Sequence, residues 1–439
     1  MATIAEQLTS LANTKAAIKD AIIAKGVAVA DTDPFSAYAG KIGQISGGGA
    51  STEWQPNPNW WDIRKILDED TRDYAGKVGV ILYNFNDVSD FQLYSSGMTA
   101  VATSDGAFYS YADNGSKISH NWDTTQDKDD GRGFKTRWVI YYYTTDTISD
   151  TFGQAHSKFG WGHNYIAYLV LRINCTDGSV FCDNQRLLEA IDNVGYTIKG
   201  TNFNAFCQYC YSLTKLPDGL DTSKVTNFSS FCQYCYSLTK LPDGLYTGSG
   251  TNFYRFCQYC YILAKLPDGL DTSSGTNFDA FCYACSSLTK LPDGLDTSKG
   301  TNFSSFCQYC YSLTKLPDGL DTKSGTNFSY FCYSCSALQE APKITMSANT
   351  TSISSKYSAP FNGASWLKTI LLTLPSNTNV WFDSSTRISI ESFRYIADHA
   401  PDVTATPRTL TLGSTNIARI NEADPTIITD LNAKGWTVA

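Results

Sequence analysis

The sequence is poor in charged side chains and in the residues that most often do acid–base chemistry. Charged residues make up 17% of the 439 positions, the formal net charge is −8, and there are four histidines and three methionines. A net negative chain argues against nucleic acid as a partner, because nucleic-acid binding depends on Lys and Arg that neutralise phosphates.

Known catalytic motifs are also missing. The chain has no His-Glu-x-x-His, no Gly-x-Ser-x-Gly and no phosphate-binding loop. His156 and His163 lie in a Gly- and aromatic-rich stretch that could line a pocket, and we interpret it as a surface loop. The acidic run 127–131 lacks the ligand pattern of a calcium loop, so we expect a solvated turn. The sequence therefore favours a protein that is not an enzyme and needs no cofactor or metal.

Long hydrophobic runs are missing too. No segment approaches the roughly 18 apolar residues that indicate a membrane span. The first residues, MATIAEQLTS, lack the cationic start and apolar stretch of a secretory signal. We therefore expect a chain that is synthesised in the cytoplasm and does not insert into membranes.

What the sequence has instead is an internal repeat. Each copy spans 25 residues and carries TNFxxFCxxCxxLxKLPDGL or a near match. The six copies begin at Thr201, Thr226, Thr251, Thr276, Thr301 and Thr326. A fixed period of this length predicts a solenoid, because one unit cannot bury its own apolar face and the units must stack.

Apolar residues recur within each unit at spacings of three and four. In the second copy they are Phe228, Phe231, Cys232, Cys235 and Leu238. This spacing predicts an amphipathic helix of about three turns. The following stretch LTKLP predicts a short strand, and the Asp-Gly dipeptide after it a turn. Helix, strand and turn together form a leucine-rich-repeat coil.

Twelve of the fourteen cysteines form Cys-x-x-Cys pairs, one pair in each unit. Each pair lies in the apolar face, which favours buried thiols that behave as small hydrophobic side chains. Zinc held between neighbouring coils and disulfides are the alternatives. Cys175 and Cys182 flank an apparent hairpin, where a cross-strand disulfide is also open.

The run DTSKVTNFSSFCQYCYSLTKLP at 221–242 resembles the TSxVTNMxxMFxxCxxLTxL repeat of the BspA-type leucine-rich-repeat family. The period and the Cys and Leu positions match over roughly a third of the chain. The family's Met positions are Phe here, as at Phe228, and the residue after Phe231 is an additional Cys. The resemblance implies a solenoid of the kind found on bacterial surface adhesins and in tail proteins of phages that infect gut bacteria.

The first 45 residues predict a helical attachment or oligomerisation module. Its apolar seam consists of Ile4, Leu8, Leu11, Ile18 and Ile22. A coiled coil and an ordinary amphipathic helix both fit this spacing. The segment LANTKAAIKDAIIAKGVAVADTDPFSAYAGKIGQI is similar to the amino-terminal module of many tail-fibre and baseplate-associated phage proteins, which implies virion attachment or trimerisation.

Composition divides the rest of this α+β multidomain chain. Residues 46–53 form a Gly/Ser linker. Residues 54–199 contain KVGVILYNF, GAFYSYA, RWVIYYYTT and YIAYLVLRIN and predict a β-rich aromatic domain, interpreted as β-sandwich-like. A helix over 184–192 would cap the repeats at 200–340. Residues 341–439 lose the period. In them WLKTILLTLP and RTLTLG predict strands, SIESFRYIADHAP predicts a helix, and DPTIITDLNAKGWTV predicts a helix followed by Gly435 and a last strand. The run TLTLGSTNIARI followed by NAKGWTV resembles the terminal coil that closes BspA-type arrays.

Stacking would place the same surface side chains in rows. Row A is Tyr209, Tyr234, Tyr259 and Tyr309, row B is Tyr211, Tyr236, Tyr261 and Tyr311, and the lysine row is Lys215, Lys240, Lys265, Lys290 and Lys315. Such rows suit a repetitive polymer such as a cell-wall glycan, with tyrosines stacking on sugar faces. Alternatively, the rows keep the coils soluble and in register.

These features predict a phage tail-associated protein, located on the virion tail, that binds a bacterial surface glycan or protein without catalysis. Its other partners would be virion tail proteins and further copies of itself, a trimer being favoured. One alternative is a BspA-type bacterial surface adhesin, against which the missing signal peptide and the tail-like amino terminus count. A second is a structural tail or baseplate component.

Overall fold

The computed structural model describes residues 57–84, 90–93, 98–110, 118–121, 123–149, 166–346 and 359–439. These residues all belong to one compact unit, Pro56–Ala439. The predicted module 1–45 with its seam residues, the linker 46–53 and the two histidines His156 and His163 lie outside them, so those expectations stay predictions.

Within the described residues the chain is mixed α/β and contains more strands than helices. The helices are α1 (Ile63–Glu69), α2 (Ile390–His399), α3 (Gly413–Ala423) and α4 (Thr426–Ala433). The strands are β1 (Gly76–Asn84), β2 (Asp90–Leu93), β3 (Ala100–Thr103), β4 (Phe108–Ser110), β5 (Ile118–Asn121), β6 (Lys128–Asp129), β7 (Lys135–Tyr143), β8 (Thr147–Ile148), β9 (Ile166–Arg172), β10 (Asn174–Cys175), β11 (Ala190–Asp192), β12 (Ile198–Lys199), β13 (Leu220–Asp221), β14 (Glu340–Thr345), β15 (Thr369–Thr373), β16 (Val380–Trp381), β17 (Arg408–Thr411) and β18 (Trp436–Val438). In this part of the chain no helix is both long and apolar enough to cross a bilayer.

Most strands that precede the repeats form one large sheet. Its order is β11-β9-β1-β7-β3-β4, with β6 also on β7, and its pairs are antiparallel except for β11 with β9. The four predicted strands correspond to β1, β4, β7 and β9 and are confirmed. The β-sandwich interpretation is not confirmed. The other described strands of this region form the pair β2–β5 and a parallel sheet, β13-β12-β10-β8, that runs into the repeats.

Both faces of the central strand β1 are covered. Val80 and Ile81 point to opposite faces, yet both are almost fully buried. Helix α1 packs on the face of Ile81, where a Cβ added to Gly79 would lie 2.7 Å from atoms of Ile63 and Leu67. Glycine therefore permits the close approach of the helix. The other face joins the apolar cluster that continues through the repeats.

The repeat units contain no α-helix, so the predicted helix is wrong. In the second unit the N–H groups of Phe228, Ser230, Cys232 and Tyr234 donate to carbonyls of the third unit over 2.7 to 2.9 Å. Between them, the N–H groups of Phe231 and Gln233 donate to carbonyls three residues back, and the N–H of Ser229 donates to the side chain of Asn227. The same pattern recurs in the other units. Every fourth residue is left-handed, as at Ser230 (φ 55°) and Tyr234 (φ 62°). A chain of tight turns thus produces the spacing of three and four that also fits a helix.

The apolar positions of the repeat are predicted correctly. Phe228, Phe231, Cys232, Cys235 and Leu238 are all fully buried, as are their equivalents in the other units. Phenylalanine rings stack from unit to unit, for example Phe228 on Phe253 at 5.6 Å. The predicted strand is shorter than expected. It is reduced to single parallel β-bridges, such as that of Lys265 with Lys290. A second series of β-bridges, which the sequence analysis missed, joins the asparagines that follow the first Thr of each unit.

At the amino-terminal end of the array, the helix predicted over 184–192 is wrong. The N–H groups of Val180, Cys182 and Asn184 donate to carbonyls of the first unit, and Val180 and Asn184 have left-handed φ values of 47° and 59°. This stretch therefore repeats the turns of the units and ends in β11. Cys175 lies in β10 and Cys182 in the turns; both side chains are buried, and no disulfide joins them.

At the carboxyl-terminal end, the predicted secondary structure is largely confirmed. The last unit donates hydrogen bonds from Cys332 and Ser334 to Pro360 and Asn362. Strands β15, β17 and β18 and helices α2 and α4 lie at the predicted segments, whereas α3 was not predicted. Trp436 is fully buried, and its indole N–H donates to the carbonyl of Pro401 at 3.0 Å.

The acidic run 127–131 is not the solvated turn that the sequence predicts. The side chain of Asp127 is fully buried and pairs with Arg137 at 2.7 Å. Asp130 is equally buried and pairs with Arg132 at 2.7 Å. The aspartates thus bind arginines of the same sheet region, which explains why acidic residues cluster at this point.

Candidate binding surface

The tyrosines of row A occupy the left-handed position of the turns. Tyr209, Tyr234, Tyr259 and Tyr309 have φ values of 59° to 62°. A side chain in this conformation costs roughly 1 to 2 kcal/mol, and the N–H of each residue repays part of it by donating to the next unit over 2.7 to 2.9 Å. The turn geometry therefore fixes both the direction and the spacing of row A.

Rings in row A stack directly on one another. The centroids of Tyr209 and Tyr234 lie 4.7 Å apart, and those of Tyr234 and Tyr259 lie 4.5 Å apart, with interplanar angles of 12° and 16°. The fourth unit has Ala284 at this position, but Tyr283 lies edge-on to both Tyr259 (5.0 Å) and Tyr309 (5.4 Å). Aromatic contact in row A is thus continuous.

Row B stacks in the same way but is interrupted. Tyr211 and Tyr236 lie 4.6 Å apart, and Tyr236 and Tyr261 lie 5.0 Å apart. The fourth unit has Ser286 at the equivalent position, and among the aromatic rings of the described residues Tyr311 in the fifth unit contacts only Tyr309 of row A. Row B therefore consists of three stacked rings, a gap, and one further ring.

Stacking changes what these rows can offer a ligand. Inside a stack each ring covers the faces of its neighbours, so sugars cannot lie on those faces as the sequence analysis expected. Ring edges and hydroxyl groups remain available. Burial, followed by the neighbouring tyrosines, raises the pKa of Tyr236 to about 12, and burial also raises the pKa of Tyr234. At neutral pH these two hydroxyls are therefore uncharged groups that donate and accept hydrogen bonds.

The lysine row lies on the backbone that forms the single parallel bridges. Lys215 pairs with Asp218 at 3.2 Å, and Lys315 pairs with Asp318 at 3.1 Å and with Glu340 at 3.4 Å. The hydrogen bond to Asp318 is the main cause that raises the pKa of Lys315. The three lysines between these ends are exposed and make no ion pair within the described residues: Lys240, Lys265 and Lys290.

A groove of about 300 Å³ lies at the start of the lysine row, between the first and second units. Lys215, Asp218, Lys240 and Asp243 supply its charged lining, together with leucine and proline side chains. The loop of the first unit differs from the later loops because it forms strand β13, which pairs with β12. The groove therefore combines two ammonium groups, two carboxylates and apolar walls.

The prediction of buried thiols is confirmed. All fourteen cysteines are buried, and the twelve of the Cys-x-x-Cys pairs form no disulfide within the described residues. The second thiol of each pair donates to the carbonyl of the first cysteine one unit earlier, as Cys235 does to Cys207 at 3.0 Å. Burial raises the pKa of Cys260 and Cys310 to about 11. Among the described residues no three or more His, Cys, Asp or Glu side chains are grouped as metal ligands.

Sequence reasoning missed a ladder of glutamine side chains beside row A. Gln208 donates to Gln233, and Gln233 donates to Gln258, all three through side-chain amides. Such amide ladders join identical positions of stacked strands. In the fourth unit the glutamine and the row A tyrosine are replaced by Tyr283 and Ala284. This paired replacement could have predicted that the ring of Tyr283 takes the place of the missing row A ring.

Comparison of the chain with protein families, with curated proteins and with solved structures finds no match. The function proposed below therefore rests on the residues and their geometry.

Proposed function

We propose that this protein is a phage tail-associated protein that recognises the surface of a host bacterium. In this proposal the repeats form a BspA-type leucine-rich-repeat solenoid on the virion tail, and they bind a surface glycan or protein without catalysis. The observation that carries the proposal is the pair of tyrosine rows, whose hydroxyl groups recur in the first three units and again in the fifth.

The spacing of the rows favours a polymeric ligand. Neighbouring rings in rows A and B lie 4.5 to 5.0 Å apart, so hydroxyl groups recur at nearly constant intervals. A ligand that repeats a hydroxyl or amide group can form the same hydrogen bond several times. Tyrosine also combines apolar area with a polar group at low entropic cost, which is why binding surfaces are rich in it.

The lysine row supports the same proposal. Lys240, Lys265 and Lys290 are exposed and have no ion-pair partner in the described part of the chain. Ammonium groups in a row attract anionic polymers, and bacterial surfaces carry many phosphate and carboxylate groups. Each contact would be weak, so oligomerisation through residues 1–45 would provide the avidity that host attachment requires.

Immunogold electron microscopy of a producing culture tests the virion assignment. Antibodies raised against the repeats should label the tails of particles released on lysis. Gold distributed over intact cell walls, with no labelled particles, would contradict the proposal and favour a bacterial surface adhesin. Label on tails without any effect of the purified protein on adsorption would favour a structural tail component.

An adsorption assay tests the tyrosine rows directly. Excess purified protein should slow the adsorption of the released particles to host cells. The triple variant with Phe at Tyr209, Tyr234 and Tyr259 keeps the stacked rings but loses three hydroxyls, so it should compete more weakly at an unchanged unfolding temperature. The matched control is Tyr246→Phe, since Tyr246 is exposed but belongs to neither row. Equal competition by all three proteins would refute a role for row A.

A further inference from the structure

Row B contains one opening that the rest of the array lacks. Ser286 occupies the tyrosine position between Tyr261 and Tyr311, and no aromatic ring of the described residues stacks between these two. Tyr261 is 39% exposed and Tyr311 is 49% exposed, whereas Tyr211 and Tyr236 are less exposed. The gap is therefore open to solvent and is flanked by two tyrosine rings.

The width of this gap follows from the spacing of row B. Neighbouring rings in the row lie 4.6 and 5.0 Å apart. Tyr261 and Tyr311 are two units apart, so at the usual spacing of stacked strands their rings are separated by roughly 9 to 10 Å. At the same level, row A presents the ring of Tyr283, which is edge-on to its neighbours. The gap thus has two aromatic walls and an aromatic back.

The dimensions select the kind of ring that fits. A flat aromatic ring with contacts of about 3.5 Å on both faces needs only about 7 Å between the walls. In a gap of roughly 9 to 10 Å, such a flat ring would therefore leave one of its two faces without contact. A pyranose chair is thicker, because it is puckered and carries axial hydrogens, so its C–H groups can contact both walls. Its hydroxyls lie around the ring edge, where Ser286 and the phenol groups can bond to them.

We propose that Tyr261, Ser286 and Tyr311 form a subsite that holds one pyranose ring of a glycan between two tyrosine faces. The subsite rests on the proposed function and specifies its ligand class. It differs from the hydroxyl ladder of the tyrosine rows, because here both faces of the sugar contact aromatic rings. The subsite also fixes the register of a longer glycan along the repeats, since only one gap of this kind interrupts row B in the described chain.

The array itself supplies the variants that test this subsite. Ser286→Tyr inserts the side chain that other units carry at the same position and should fill the gap by stacking. Ser336→Tyr is the matched control, because it adds a tyrosine at the equivalent position of the sixth unit and leaves the gap open. Tyr311→Ser removes one wall and introduces the residue already present in the fourth and sixth units.

The measurement is binding of the full chain to an array of immobilised mono- to tetrasaccharides of hexopyranoses, N-acetylhexosamines and uronic acids. The unaltered protein should bind at least one of these glycans. Ser286→Tyr and Tyr311→Ser should each weaken that binding by about tenfold, and Ser336→Tyr should change it by less than about twofold. Unfolding temperatures of the variants show whether any loss reflects misfolding.

Two results would overturn the subsite. Equal binding by the unaltered protein and Ser286→Tyr would show that the gap is not used, while the proposed function would stand on the tyrosine rows. Binding to none of the pyranosyl glycans would also overturn the subsite. The adsorption and immunogold experiments would then still decide the proposed function, because a protein receptor would satisfy both.

Discussion

The sheet region and the repeat array share one apolar cluster but are held together by different kinds of contact. In the sheet region, stabilising polar contacts are individual ones, such as the buried pair of Asp127 and Arg137. In the array, the polar contacts between units join residues about 25 positions apart and recur in neighbouring units, as the Asn252–Asn227 side-chain bond does in the next unit. One region depends on unique partners and the other on repetition.

This difference determines how each region responds to a change. An array of units behaves approximately as a sum of unit stabilities and nearest-neighbour contacts. Loss of one contact in the array therefore weakens a few units and leaves its equivalents elsewhere intact. A sheet whose strands are paired across long sequence distances has no such copies, so loss of a central contact affects the whole sheet.

The largest effect is expected from breaking the buried ion pair of the sheet. Arg137→Met leaves the carboxylate of Asp127 buried and without its 2.7 Å partner. Removal of one member of a buried pair typically costs about 3 to 5 kcal/mol. Urea unfolding, monitored by amide protection of β1, β7 and β9, should show this loss across the whole sheet.

A second variant controls for the ion pair itself. Replacing both residues, Arg137→Met with Asp127→Leu, should recover much of the loss, because no charge is then left buried. Lys65→Met is the single control, since Lys65 and its partner Glu69 are both largely exposed and an exposed pair of this kind contributes little to stability. A loss of equal size in both single variants would mean that burial of the pair is unimportant.

A smaller and more local effect is expected in the array. Phe281 is fully buried and stacks between Phe256 at 5.4 Å and Phe306 at 5.5 Å. Phe281→Ala should cost about 3 kcal/mol through the cavity that it creates. Hydrogen exchange should locate this loss in the units that contain these three rings. Equal loss of protection in strand β7 would contradict the expected independence of the units.

The sequence predicts the array better than the sheet because the features of the array recur in several copies of the repeat. The period, the buried Phe, Cys and Leu positions and the surface rows all follow from comparison of the copies. The helix prediction failed because spacings of three and four also fit successive turns. Nothing in the propensity of tyrosine indicates the left-handed conformation of Tyr234.

Strands of the sheet region were predictable, but their arrangement was not. Alternation and β-branched residues locate β1, β7 and β9, whereas their partners depend on long-range packing. The pair of Asp127 and Arg137 illustrates the limit, since an acidic run is ordinarily a solvated turn. In the candidate site, the rows were visible in the sequence. The stacking that covers most ring faces, and the importance of Ser286, needed coordinates.

The titration of buried thiols is expected to leave the stability unchanged at neutral pH and to lower it at alkaline pH. Burial raises the pKa of Cys260 and Cys310 to about 11, from an ordinary value of 9.0. A raised pKa in the folded state means that the unfolded chain loses its protons first. The thiol contribution to stability is therefore complete below pH 9 and is lost as the pH rises from 9 to 11.

The same sign applies to the tyrosines, but at a higher pH. The pKa of Tyr236 is raised to about 12 from 10.0, and burial also raises the pKa of Tyr142 in the sheet. Tyrosine-linked stability is thus complete below pH 10 and is lost above it in both regions.

Because the cysteines lie in the array and its adjoining turns, hydrogen exchange should show the array weakening before the sheet as the pH rises past 9. Ellman's reagent should find the native thiols unreactive at pH 8. Simultaneous weakening of both regions, or reactive thiols in the native protein, would show that the buried cysteines do not make the array more sensitive to alkaline pH than the sheet.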